Sequence, residues 1–130
     1  MTTAPRPDAR FRVEFDDATF TEDLEHTSSD TGRALAHRER DKLTADRLSP
    51  NRLKRCDTEA RDGTSLPGCV KIYIPEPDGT WGMVFQLRID DKGRPFLAYL
   101  AFGTRHPTSP GALSVYEVAH HRIHIQPPQR

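Results

Sequence analysis

The sequence has few of the features that place a protein in a membrane or outside the cell. No apolar run approaches the roughly 20 residues of a membrane-spanning helix, so we expect no membrane association. The first residues, Met1–Arg10, are polar, and we expect no secretory signal there. Only two cysteines are present, Cys56 and Cys69, and their spacing is not that of metal ligands. These absences predict a cytoplasmic protein with reduced thiols and no bound metal.

A net charge is also absent, because 19 Lys and Arg balance 19 Asp and Glu. Strong non-specific nucleic-acid binding usually requires a clear basic excess, so neutrality counts against that class. The charges are nevertheless unevenly distributed. Residues 1–32 contain three Arg against eight Asp and Glu, whereas residues 33–56 contain eight Lys and Arg against three Asp and Glu. The basic segment either faces phosphates or forms a solvated helix of mixed charge.

Apolar residues are rare at the start of the chain and dense from Leu66 onward. The polar, proline-containing beginning predicts a disordered tail over residues 1–10. The remaining residues, 11–130, have the length of one domain, and they need neither a metal nor a disulfide to fold.

Hydrophobic spacing and turn residues predict an α+β fold in the order strand, two helices, three strands and a short helix. A loop over Cys56–Pro67 separates the two halves. The predicted elements are a strand at Arg10–Phe15, a helical turn at Phe20 and Leu24, a helix at Asp30–Leu48, strands at Gly68–Ile74, Trp81–Ile89 and Pro95–Phe102, and a helix at Ser114–His124. Close spacing of the three strands predicts an antiparallel β-meander, with the helices packed on one face of the sheet.

Four stretches in the second half of the chain have distinctive sequences: Leu66–Ile72, Trp81–Leu87, Leu100–Arg105 and Val115–Ile123. The most specific pieces are a Gly-x-Arg that ends the third strand and a Val-Tyr-x-x-Ala-x-x-Arg-Ile helix after it. In this order they resemble the RelE/ParE-type toxins of bacterial toxin–antitoxin systems. The resemblance covers about half of the chain. It implies a RelE-like fold for residues 11–130 and a cognate antitoxin protein that holds the toxin inactive.

The resemblance implies one of two activities. The RelE branch cuts mRNA on the ribosome without a metal or cofactor, by attack of the 2′-hydroxyl of a nucleotide on the adjacent phosphate. That chemistry needs a base, an acid for the leaving oxygen, and cations around the phosphorane. The ParE branch inhibits DNA gyrase instead and is not catalytic.

Three residues match the working set of the family. The resemblance implies that Lys71 lies near the 2′-hydroxyl, that Arg105 holds the scissile phosphate, and that Tyr116 stacks on a base or assists proton transfer. His106 has a side chain suited to acid–base work near neutral pH. RNA contacts are expected from Lys54, Arg55 and Arg88. Each of these residues could instead have a purely structural role. Lys71 could be an outward-facing strand residue, and Tyr116 could pack in the core.

Two positions depart from the pattern of the family. Gly82 stands where the transition-state arginine is expected, and Tyr73 replaces the second lysine of the basic pair. Loss of one such cation costs about a hundredfold or more in rate. Three alternatives to the endonuclease therefore stay open: a gyrase-directed toxin, a catalytically decayed binding module, and an unrelated small α+β domain.

Overall fold

The computed structural model describes residues 10–56, 64–74 and 80–124, where three helices pack against a five-stranded sheet. The helices are α1 (Asp17–Glu25), α2 (Asp30–Ala45) and α3 (Val115–His124), and the strands are β1 (Val13–Glu14), β2 (Lys54–Arg55), β3 (Cys69–Ile74), β4 (Trp81–Ile89) and β5 (Pro95–Thr104). The predicted tail, apart from Arg10, and most of the predicted loop Cys56–Pro67 lie outside the described residues. In the described part of the chain, no helix has both the length and the apolar character needed to cross a membrane.

The sheet has the strand order β1-β5-β4-β3-β2. Strands β3, β4 and β5 form the predicted antiparallel meander, in which Ile72 pairs with Met83 and Met83 with Phe102. The first strand runs parallel to β5, with Val13 opposite Leu97, so the sheet is mixed. The α+β class and the order of elements are confirmed.

Side-chain caps determine where the two N-terminal helices begin. Asp16 accepts a hydrogen bond from the Thr19 amide at 2.9 Å, and Ser29 caps α2 in the same way. Helix α2 ends at Ala45, before the predicted Leu48. Phe11 and Leu48 exchange backbone hydrogen bonds of 2.8 Å, and Leu48 is fully buried. This pairing places Leu48 in the core in extended rather than helical conformation.

Both faces of the sheet are covered, which corrects the prediction that all helices lie on one face. On one face, Ile72, Met83 and Phe85 belong to the core that α1 and α2 cover. On the other face, Val84 packs with Ala119 of α3 in a second core. Because the central strand β4 is apolar on both sides, a single layer of helices would leave one of its faces in water.

A buried ion pair closes the open edge of β5. Strand β1 pairs with β5 only at Leu97 and Ala98, so the following backbone groups need other partners. The Phe102 amide donates to the Asp23 carboxylate at 3.0 Å, and Arg122 donates to the Leu100 carbonyl at 2.5 Å. Arg122 also pairs with Asp23 at 2.7 Å. The pair thereby ties α1 and α3, which lie on opposite faces of the sheet, to one strand.

Candidate functional site

A group of cationic and aromatic side chains lies on the sheet face that α3 covers. Its members, here called the basic–aromatic cluster, are Lys54, Lys71, Tyr73, Arg105 and Tyr116. Lys54 lies directly opposite Lys71 across the β2–β3 pair, and Tyr73 is two positions further along β3 on the same face. Arg105 follows β5, and Tyr116 lies in the first turn of α3. Strand register and the start of one helix therefore bring five residues from four elements together.

Tyr73 is the centre of the cluster. The Arg105 guanidinium carbon lies 3.7 Å from the centroid of the Tyr73 ring. The ammonium nitrogens of Lys54 and Lys71 lie 5.4 Å and 5.7 Å from the same centroid. All three distances are within the range of cation–π attraction. Tyr73 thus holds three positive charges close together that would otherwise repel one another.

Tyr116 forms the other wall of the cluster. Its hydroxyl accepts a hydrogen bond from Arg105 Nε at 3.2 Å, and the Lys71 ammonium lies 4.8 Å from its ring centroid. Burial alone would lower the pKa of Arg105, but hydrogen bonds to the hydroxyls of Tyr116 and Tyr73 raise it above its usual value. Arg105 is therefore charged at every physiological pH.

The start of α3 is fixed by its own cap, which orients Tyr116. The Ser114 amide donates to Glu117 Oε1 at 2.9 Å, and the Glu117 amide donates to Ser114 Oγ at 3.1 Å. These reciprocal bonds form a capping box. Val115, between them in sequence, is buried in the second core. The turn that carries Tyr116 is consequently anchored by both hydrogen bonds and packing.

The backbone of Gly82 lies directly beneath the side chain of Arg105. A β-carbon on residue 82 would stand 3.1 Å from Arg105 Cγ and 3.3 Å from the Ile72 carbonyl oxygen. A side chain at position 82 would therefore press against the aliphatic part of Arg105 and require it to shift. The expected arginine is missing from β4, yet the Arg105 guanidinium reaches the same sheet face from the end of β5.

The other predicted site residues are not brought into the cluster. Arg55 lies opposite Val70, whose side chain packs against the α1–α2 core, so Arg55 projects from the other sheet face. Arg88 shares the face of Gly82, but six residues of strand separate them by about 20 Å, and Arg88 hydrogen-bonds to Gln86. His106 is exposed beside Arg105. RNA contacts by these residues and proton transfer by His106 stay predictions.

Two histidines of α3 have a structural contact. The Ser65 amide donates to His120 Nδ1 at 2.9 Å, and His124 Nε2 lies 2.7 Å from the Ser65 carbonyl oxygen. They attach the segment before β3 to α3. Within residues 10–56, 64–74 and 80–124, no three His, Cys, Asp or Glu side chains are grouped so that they could hold a metal ion.

A separate open groove of about 1000 Å³ lies between α1, the end of β5 and α3. Its walls include Trp81, Phe102, Leu113 and Arg122, and no member of the basic–aromatic cluster lines it. Its volume makes this groove a candidate binding site. The cluster nevertheless has the stronger chemical character, because it combines three cations with two aromatic rings in one place.

Function has to be inferred from the residues and their geometry, since no family model, curated protein or solved structure matches the chain. The arrangement suits an anionic ligand that also has flat rings, because cations attract phosphates and tyrosines stack on bases.

Lys71, Arg105 and Tyr116, which the sequence indicated separately, lie together. In the sequence Tyr73 stands out only because it replaces the second lysine of the basic pair, and its central position depends on a strand register that the sequence does not display.

Proposed function

We propose that this protein is a RelE-like toxin that cleaves mRNA on the ribosome, with the basic–aromatic cluster as its RNA site. The observation that carries the proposal is the Arg105 guanidinium, stacked on Tyr73, hydrogen-bonded to Tyr116 and adjacent to Lys71. A nucleotide has a phosphate next to a base. In the cluster the cations lie next to aromatic rings, so the cations can bind the phosphate while a ring stacks on the base. The order of motifs in the second half of the chain supports the same family.

The proposed reaction uses the RNA itself as nucleophile. The 2′-hydroxyl oxygen forms a bond to the adjacent phosphorus, and the bond from phosphorus to the 5′ oxygen breaks. The 2′-hydroxyl loses its proton to a base, and the 5′ oxygen gains one from an acid. The products are a 2′,3′-cyclic phosphate and a 5′-hydroxyl, so neither a metal nor a cofactor is required.

Four members of the cluster have a role in that reaction. Arg105 binds the non-bridging oxygens of the scissile phosphate and stabilises the charge that grows there. Lys71 lies next to the 2′-hydroxyl, and Tyr116 stacks on a base or passes a proton. Lys54, paired with Lys71 across the strands, holds a neighbouring phosphate. Because Gly82 supplies no second arginine, we expect slower cleavage than in a site with both, by about a hundredfold.

The same proposal includes a location and partners. We infer a cytoplasmic toxin that acts on ribosome-bound mRNA and is inhibited by a cognate antitoxin. The positive charge of the cluster supports an antitoxin with an acidic segment that covers Lys71 and Arg105.

A gyrase-directed toxin of the ParE kind is the second candidate. Two observations favour it: Gly82 provides no transition-state cation, and no histidine is a member of the basic–aromatic cluster. Under this alternative the cluster would bind a protein surface rather than RNA.

Inducible expression in a bacterial host distinguishes the candidates. We expect growth arrest with in-frame cuts in translated messages, mapped by primer extension, and loss of both in Arg105→Ala. Arrest without cuts, together with DNA breaks when purified gyrase is present, would support the ParE alternative. Absence of arrest by soluble, folded protein would refute both toxic activities and leave a binding module.

A further inference from the structure

The fold brings the two cysteines of the chain together. Cys56 follows β2 and Cys69 begins β3, and the two strands pair with Arg55 opposite Val70. The register therefore carries Cys56 to the position opposite Cys69. The Cys56 amide donates to the Cys69 carbonyl oxygen at 3.2 Å, which continues the ladder by one step.

The geometry of this pair fits a disulfide. Residues of a hydrogen-bonded pair in antiparallel strands have Cα atoms about 5.5 Å apart, and disulfides span Cα separations of about 4.4–6.8 Å. Both side chains belong to the core beneath α3, so they project from the same face of the sheet. In the structure both residues are thiols.

We propose that Cys56 and Cys69 form a reversible cross-strand disulfide when the protein meets a small-molecule disulfide such as oxidised glutathione. The Cys56 thiolate attacks one sulfur of the oxidant, forms a mixed disulfide and releases one glutathione thiolate. The Cys69 thiolate then attacks the Cys56 sulfur and releases the second glutathione. The protein loses two protons and two electrons, and oxidised glutathione is reduced to two molecules of glutathione.

The two thiols differ in a way that determines their order of reaction. Cys69 is 4% exposed, whereas Cys56 is half-buried. Burial, together with the neighbouring Cys56, raises the pKa of Cys69 to about 12. Cys56 therefore reacts first. Closure by Cys69 is the slow step, and its rate rises about tenfold per pH unit below that pKa, because only the thiolate attacks.

The disulfide would fasten β2 to the sheet next to the basic–aromatic cluster. Lys54 and Lys71 occupy the same sheet face two residues away from Cys56 and Cys69. Strand β2 is only two residues long and exposed, so a covalent link gives it a constraint that its hydrogen bonds alone do not.

The test is an equilibrium titration of the full-length reduced protein with mixtures of reduced and oxidised glutathione, read by alkylation and intact mass. A disulfide that fits the fold stabilises the folded state, and the folded state favours the disulfide by the same free energy. We therefore expect the equilibrium constant for forming the Cys56–Cys69 disulfide to be roughly tenfold to a thousandfold larger in the native protein than in urea. Cys69→Ser should stop at the mixed disulfide with one glutathione. An equal or smaller constant in the native protein, or links between two chains only, would overturn the proposal.

Discussion

Arg105 lies across the backbone of Gly82, with its Cγ only 3.1 Å from where a β-carbon of residue 82 would stand. The missing side chain at Gly82 therefore leaves the space in which the Arg105 side chain lies. A side chain at position 82 would require Arg105, which stacks on Tyr73 at 3.7 Å, to shift. The departure from the family pattern at Gly82 thus coincides with a different way of placing a cation on the same face.

Gly82→Ala should displace Arg105 and weaken RNA binding by about tenfold, equivalent to 1.4 kcal/mol. Gly103 is the matched control, because it pairs directly with Gly82 and an added β-carbon there would meet Val115 at an ordinary 3.7 Å. Gly103→Ala should bind within about twofold of the wild type. Fluorescence anisotropy with a short single-stranded RNA at fixed salt measures both. Equal affinities for the two variants would contradict the role given to Gly82.

Tyr73 should be needed for its ring more than for its hydroxyl. Tyr73→Leu removes the surface under three cations, and we expect binding to fall by about tenfold, since each contact is worth about 0.5–1 kcal/mol. Tyr73→Phe keeps the ring but removes the hydroxyl that hydrogen-bonds to Arg105, so RNA affinity should fall only a few-fold. The same anisotropy titration applies, with circular dichroism to show that both variants fold. If Leu binds as well as Phe, the ring is not the basis of the site.

Removing one partner of the buried pair should be strongly destabilising. Asp23 is 5% exposed and accepts bonds from Arg122, Tyr99 and the Phe102 amide. Asp23→Ala removes the buried partner of Arg122 and leaves it only the exposed Glu22, and we expect a loss of about 3–5 kcal/mol in the free energy of unfolding. Glu22→Ala, which removes the exposed neighbour that also bridges Arg122, should cost less than about 1 kcal/mol. Urea titrations measure the free energy of unfolding of both variants. Similar losses in Asp23→Ala and Glu22→Ala would contradict this assignment.

The cap of α1 should make stability depend on pH in the acid range. Hydrogen bonds from the Thr19 hydroxyl and amide hold the pKa of Asp16 below its ordinary value of 3.8. Because the folded-state pKa is the lower one, the stabilisation is complete above 3.8 and disappears as the pH falls through the folded value. Asp16→Ala should therefore cost about 1 kcal/mol at neutral pH and progressively less below the ordinary value. A difference between wild type and variant that is constant across the acid range would refute this.

Local patterns predicted much of the fold. Three closely spaced apolar runs with turn residues between them indicated the meander, and apolar residues at helical spacing in Ser114–His124 indicated α3. Periodicity is a property of short stretches, so it identifies elements without fixing how they pair. The parallel pairing of β1 with β5 and the position of α3 on the opposite face depend on contacts distant in sequence.

The candidate site was predictable only in part, for the same reason. Lys71, Arg105 and Tyr116 were identified by motif, but their convergence on Tyr73 requires the register of β3 and the start of α3. Strand β2 has only two residues, both charged, and therefore carries no hydrophobic signal for Lys54. The opposition of Cys56 and Cys69 likewise follows from β2–β3 pairing rather than from their spacing.

The most direct test of the central claim is cleavage by purified protein of an mRNA in a translating extract, with product ends identified chemically. We predict cuts that leave a cyclic phosphate and a 5′-hydroxyl, lost in Arg105→Ala and retained in Arg33→Ala, whose side chain pairs with Asp30 on the helix that covers the opposite face of the sheet. Intact mRNA with folded wild-type protein, or cleavage that Arg105→Ala leaves unchanged, would contradict it.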